Sequence, residues 1–227
     1  MGMTDRCHIR SNETLGLTMA EWISEGISTG HDRLGDVFVL DRWLSTPAGR
    51  DSLTCPCEIR LHEKPDFIVT SERMSAGIEV TRFLAEQRAR AAKITNEEHT
   101  DHSPTDFDFD SPPRRNDEIR QIVRREPLGL TGWRSIPGTL DLYAEKFEEI
   151  LASKTRKAIV ETTQACSSYW LVIEDQHFLN AFNLHHLNRM LTARLAQYWR
   201  SEPAFDRIYF SSITDKNRSL EFRKPAR

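Results

Sequence analysis

Two short apolar runs constrain the fold of this chain more than any other feature. Asp66-Phe67-Ile68-Val69 and Gly77-Ile78-Glu79-Val80-Thr81 are rich in β-branched and aromatic residues, and the stretch 70–76 between them suits a hairpin turn. Strand period two places Ile78 and Val80 on one face and Glu79 and Thr81 on the other. The hairpin then brings Asp66, which opens the first run, beside Glu79 in the middle of the second. Adjacent carboxylates repel each other unless a cation lies between them. An oxygen-only pair of this kind suits Mg2+, which keeps several waters and takes one or two protein carboxylates.

At these residues the chain resembles the PD-(D/E)XK nuclease superfamily. Pro65-Asp66 matches the first half of that motif and Glu79-Val80-Thr81 the second, with Thr81 where the family carries lysine. The pattern is similar to small bacterial nuclease-like proteins with E-x-P-D-F followed by G-I-E-V-T, here Glu63 to Phe67 and Gly77 to Thr81. The resemblance implies an α/β fold with a restriction-endonuclease-like mixed sheet flanked by helices. It also implies that Asp66 and Glu79, with the Val80 carbonyl, hold Mg2+ or Mn2+, and that Glu63 joins or tunes the site. The ion would activate a water and stabilise charge on a scissile phosphate.

Length and composition fit that picture. With 227 residues the chain is long enough for one domain with an insertion, read here as a helical extension over 1–31 and a nuclease-like domain over 32–227. No run approaches the ~18 apolar residues of a membrane span, and the first ten residues lack a signal-peptide core, so a cytoplasmic protein that avoids membranes is expected. A net charge of −3 offers no global basic footprint. A nucleic-acid partner, DNA ahead of RNA, must therefore be met by a local patch. The sequence leaves a homodimer open. Cys55-Pro56-Cys57 is too tightly spaced for a zinc-ribbon pair.

Along the chain, residues 1–16 look loose. A helix with Met19, Trp22, Ile23 and Ile27 inward follows, and a second runs over 32–45 until 46–49 ends it. The resemblance implies a further metal-site acid on such a helix. Asp36 and Asp41, with Glu21 and Glu25 one helix earlier, are the candidates; spacing cannot separate them, and all four read as solvated helix charges. Residues 53–61 form an opening strand, and 83–96 a locally basic helix. The stretch 97–138 is an acidic insertion in which Asp106, Asp108 and Asp110 alternate with Phe107 and Phe109. A strand over 169–174, a helix over 180–198 and strands over 205–211 and 219–222 complete the order.

The long helix over 139–164 carries the last clue. Its apolar stripe of Leu140, Tyr143, Phe147, Ile150 and Leu151 continues into Lys154 and then Lys157 or Ala158. A buried ammonium needs a carboxylate or phosphate partner. The resembling proteins carry a K-x-x-K-like pair on this helix, here Lys154 and Lys157, so either lysine is expected to do the work Thr81 cannot. The rival readings are a catalytically inactive nucleic-acid-binding or scaffold protein on the same fold, and a helix-turn-helix regulator using 180–199.

Overall fold

The β-branched and aromatic runs pair into one seven-stranded sheet in this computed structural model, which describes residues 5–98, 112–124, 139–161, 166–176, 183–201, 204–213 and 215–225. The strands are β1 (Arg6–Ile9), β2 (Cys57–Leu61), β3 (Phe67–Ser71), β4 (Met74–Phe83), β5 (Ser168–Asp175), β6 (Arg207–Ser212) and β7 (Ser219–Arg223). They lie side by side in chain order. β5 pairs parallel with both β4 and β6, and every other neighbouring pair is antiparallel. The parallel pairs require crossovers, and helices supply them. With seven helices described, the fold is mixed α/β.

The chain divides into two compact units, Met1–Phe83 with Phe147–Arg227, and Leu84–Lys146. In the first, α1 (Leu15–Thr29), α2 (Leu34–Leu44) and α3 (Pro47–Ser52) share a core with one face of the sheet. Met19, Trp22, Val37, Leu40 and Trp43 pack with Ile59, Phe67, Val69, Ile78, Val80, Trp170 and Val172. Trp43 meets Trp170 edge-on at 6.1 Å and Tyr209 at 4.8 Å, between ring centres. Burial of each such side chain contributes about 1.5–3 kcal/mol. On the other face, Phe210 stacks edge-on with Phe83 at 5.5 Å and with Phe147 of α6 (Thr139–Glu161) at 5.6 Å. α7 (Leu184–Tyr198) turns Leu187, Leu191 and Leu195 inward, and its Arg194 pairs with Glu148 at 2.6 Å.

The second unit is held by α4 (Glu86–Glu98) and α5 (Asn116–Val123), whose Ala91, Ile94, Ile119 and Val123 form a small core of their own. Arg124 forks onto Glu98 at 2.7 and 3.0 Å. The Asp106, Asp108 and Asp110 run lies outside the described residues.

Several expectations need correction. Residues 6–16 are not loose: β1 is an edge strand, and the expected helix, α1, begins earlier, at Leu15, and sits in the core. The alternation of Cys7 and Ile9 was the available signal, but four residues are too few to stand out. Ile27, expected inside, is 60% exposed, because Gly26 takes the inner position one residue earlier. The stretch 46–49 starts a helix rather than only ending one. Thr46 caps α3 through a hydrogen bond from the Gly49 N–H, and Pro47 occupies the first helical position. Gly49 is obligatory there, since a Cβ would lie 2.1 Å from the Trp43 carbonyl oxygen. The hairpin loop is also shorter than 70–76: Ser71 pairs with Met74, leaving only Glu72 and Arg73 to turn.

Candidate active site

The β3–β4 hairpin ends its ladder at Phe67↔Ile78. Proline cannot donate a backbone hydrogen bond, so Pro65 is a poor ladder member. Its ring packs over β4 instead: a Cβ on Gly77 would stand 2.7 Å from Pro65 Cγ and 2.9 Å from the Tyr169 ring. The glycine therefore lets the Pro65 turn lie close against the strand. The turn closes with the His62 N–H donating to the Asp66 carbonyl at 2.9 Å.

Val80 lies two residues past the last pair, and both of its backbone groups go to side chains. Its N–H donates to Asp66 Oδ2 at 2.9 Å, and its carbonyl accepts from Lys154 Nζ at 3.1 Å. Lys154 also donates to Glu79 Oε1 at 2.6 Å. Three of the residues singled out in the sequence, Asp66, Glu79 and Lys154, thus come together with Val80 at one end of the hairpin. The stripe of α6 explains the lysine: Phe147 and Leu151 are buried, and the next step along that face reaches the Glu79 carboxylate. Glu79 and Lys154 side chains are each 20% exposed, so their pairing is partly shielded from water.

Two expected residues do not join. Lys157 is exposed, because three residues beyond Lys154 the helix face has rotated off the sheet. Glu63 is exposed in the loop before Pro65 and makes no hydrogen bond or ion pair with the cluster among the described residues. Thr81, on the Glu79 side of the strand, is only partly buried.

Arg33 enters unannounced and brings Asp36 with it. Arg33, immediately before α2, donates from Nη2 to Asp66 Oδ1 at 2.8 Å, from Nε to Asp36 Oδ2 at 2.7 Å and from Nη1 to the His62 carbonyl at 2.9 Å. Asp36 is therefore tied to the site through Arg33 instead of standing as a free helix charge. The three-residue spacing of Arg33 and Asp36 is legible as a helix-start pair, but its reach to Asp66 is not. α2 is anchored further along. The nearly fully buried Glu174 of β5, 2% exposed, takes Arg42 of α2 on one oxygen and Gln176 Nε2 on the other at 2.9 Å. Arg82 of β4 lies 3.8 Å from Glu174 and donates to the Gly35 carbonyl at 2.8 Å.

The electrostatics follow from crowding. Burial, then the nearby Glu79 charge, push the Asp66 carboxyl up to about 7, against the opposing pull of the Val80 N–H and Lys154. Burial works against the Arg33 charge, but the Asp36 hydrogen bond and the Asp66 field outweigh it and hold the guanidinium more firmly protonated than usual.

The donor set suits a hard cation. Asp66, Glu79 and the Val80 carbonyl offer oxygen only, and an ammonium already bridges two of these three residues. Among the described residues, no group of three or more histidine, cysteine, aspartate or glutamate side chains is placed to hold a metal. Any ion here would thus rest on two carboxylates and a carbonyl, with water filling the remaining positions. None of the described helices is long and apolar enough to cross a membrane. No family model, curated protein or solved structure matches the chain.

Proposed function

We propose that this protein is a metal-dependent nuclease of the restriction-endonuclease-like type, hydrolysing phosphodiester bonds in nucleic acid. The observation that carries this reading is the meeting of Asp66, Glu79, the Val80 carbonyl and Lys154 at one end of the β3–β4 hairpin. Asp66, Glu79 and Val80 would hold Mg2+ or Mn2+, which supplies an activated water and positive charge at the phosphate. Arg33 fixes the Asp66 carboxylate from behind, and the Val80 N–H fixes its other oxygen. Lys154 supplies, from the helix, the positive charge that Thr81 cannot supply from the strand. Its ammonium would stabilise charge building on a phosphate oxygen.

The test is cleavage of single- and double-stranded DNA and RNA by the purified protein, with Mg2+, with Mn2+ and with chelator. Metal-dependent strand scission that disappears in Asp66→Asn and Glu79→Gln is expected. Absence of cleavage on all four substrates would sink the reading.

A second reading has a specific observation in its favour. Each acid of the hairpin already holds a cation of the chain's own, Asp66 with Arg33 and Glu79 with Lys154. On this reading both pairs are permanent, and the chain is an inactive nucleic-acid-binding or scaffold protein. Binding of nucleic acid that is unchanged by chelator, by Glu79→Gln and by Asp66→Asn would favour it.

A further inference from the structure

We propose that Lys154 is the resident cation of this site: it yields the Glu79 and Val80 oxygens to a divalent ion and turns to the substrate phosphate. The inference rests on the metal-dependent reading above and concerns what the lysine does before substrate arrives. Lys154 Nζ lies 2.6 Å from Glu79 Oε1 and 3.1 Å from the Val80 carbonyl oxygen. These oxygens belong to two of the three residues that offer a hard cation its donors. An ammonium is a compact point charge on a flexible stem, able to leave one anion for another without disturbing the fold.

Charge balance gives the direction. With all three carboxyls ionised, the acids Asp36, Asp66 and Glu79 and the bases Arg33 and Lys154 leave one negative charge in excess. A divalent ion added with the lysine in place turns the cluster positive. With the lysine withdrawn, the same ion leaves it neutral. Arg33 is a poor candidate to withdraw, because its three donors are spread over Asp66, Asp36 and the His62 carbonyl. Among the described residues, Lys154 is held by two oxygens. A phosphodiester carries the negative charge that the displaced ammonium needs, so ion and phosphate favour each other's binding, and by linkage that coupling is reciprocal.

The experiment is a calorimetric titration of the full chain with Mn2+ alone, for the parent, Lys154→Met, Lys157→Met and Glu79→Gln. The Lys154→Met variant should bind the ion about tenfold tighter or more, because a competing charge within contact distance is gone. Lys157→Met should match the parent, and Glu79→Gln should bind weakly or not at all. A parent that binds while Lys154→Met binds equally or less tightly overturns the competition and leaves the metal site standing. If neither the parent nor Lys154→Met binds the ion, the metal-dependent reading itself fails. A second measurement covers the case in which Lys154→Met does not fold. In the parent, the shielded side-chain ammonium resonance of Lys154, followed by nitrogen-15 NMR, should be lost on saturation with Mg2+. Its persistence at saturation overturns the proposal.

Discussion

The Asp66 carboxylate replaces backbone beside Val80, receiving the Val80 N–H on Oδ2 at 2.9 Å where the β3 ladder has already stopped. A buried N–H without a partner is costly, so this contact ties the position of an acid to the integrity of the hairpin. It also leaves Asp66 crowded: Glu79 lies close by, and Asp36 is joined to it through Arg33.

That crowding makes a pH prediction. Asp66 has a folded value raised from 3.8 to about 7, so between those values the folded chain holds a proton the unfolded chain has released. Stability contributed by this group is therefore present at low pH and lost as pH rises through about 7. The full shift corresponds to roughly 4 kcal/mol spread over pH 3.8 to 7, so about 2–3 kcal/mol of it falls between pH 5 and pH 8. Urea denaturation at pH 5 and pH 8, in chelator, should show this loss in the parent and a flatter profile in Asp66→Asn. Parallel profiles for the two proteins would rule the assignment out.

Arg33 carries the complementary prediction. Arg33→Met removes the fork and leaves Asp36 and Asp66 facing each other without it. Breaking a partly buried ion pair of this geometry costs about 1–3 kcal/mol. The cost should be larger at pH 8, where Asp66 is charged, than at pH 5, where it holds its proton. Arg33→Lys should recover only part of the loss, because one ammonium cannot reach all three acceptors. An equal cost at both pH values would show that the guanidinium does not act through the Asp66 charge.

How much of this was legible beforehand divides along sequence distance. Asp66 and Glu79 were visible because strand period and a short hairpin tie residues thirteen apart to neighbouring strands. Lys154 was visible because an ammonium in an apolar helical stripe demands an anion, although periodicity alone left Lys157 equally eligible. Only the docking of α6 on the sheet separates them, with one lysine half-buried and the other exposed. Arg33 and the Glu174–Arg42–Arg82 anchor escaped entirely. Their partners are distant in sequence, and a glutamate near the end of an apolar run gives no sign of which arginine will neutralise it. β1 and α3 escaped for another reason, being so short that tertiary contacts decide them more than local pattern.

Gly77 links the hairpin to the site in a way a single substitution can probe. Gly77→Ala drives a methyl to within 2.7 Å of the rigid Pro65 ring, so the 62–66 turn must lift off the strand. Overpacking of this kind costs about 1–3 kcal/mol. Because Asp66 follows Pro65 directly, the same change should weaken Mn2+ binding more than the stability loss accounts for. Calorimetry on the folded variant measures this, and unchanged ion affinity would show that the turn does not position the acid.

The last prediction separates the two lysines by activity. In metal-loaded protein that cleaves nucleic acid, Lys154→Met should lower the rate by about two to three orders of magnitude, as when one electrostatic stabiliser of a transition state is removed. The thioether side chain keeps much of the packing of the lysine stem, so the melting temperature should change little. Lys157→Met should cleave at the parental rate, since that side chain is exposed and away from Glu79. Adding Thr81→Lys to Lys154→Met returns a positive charge from the strand, two residues past Glu79 and on the same side of β4. It should restore part of the lost rate if the two positions serve one phosphate. A double variant no faster than Lys154→Met, with intact fold and ion binding, would mean that the helix lysine acts where a strand lysine cannot reach.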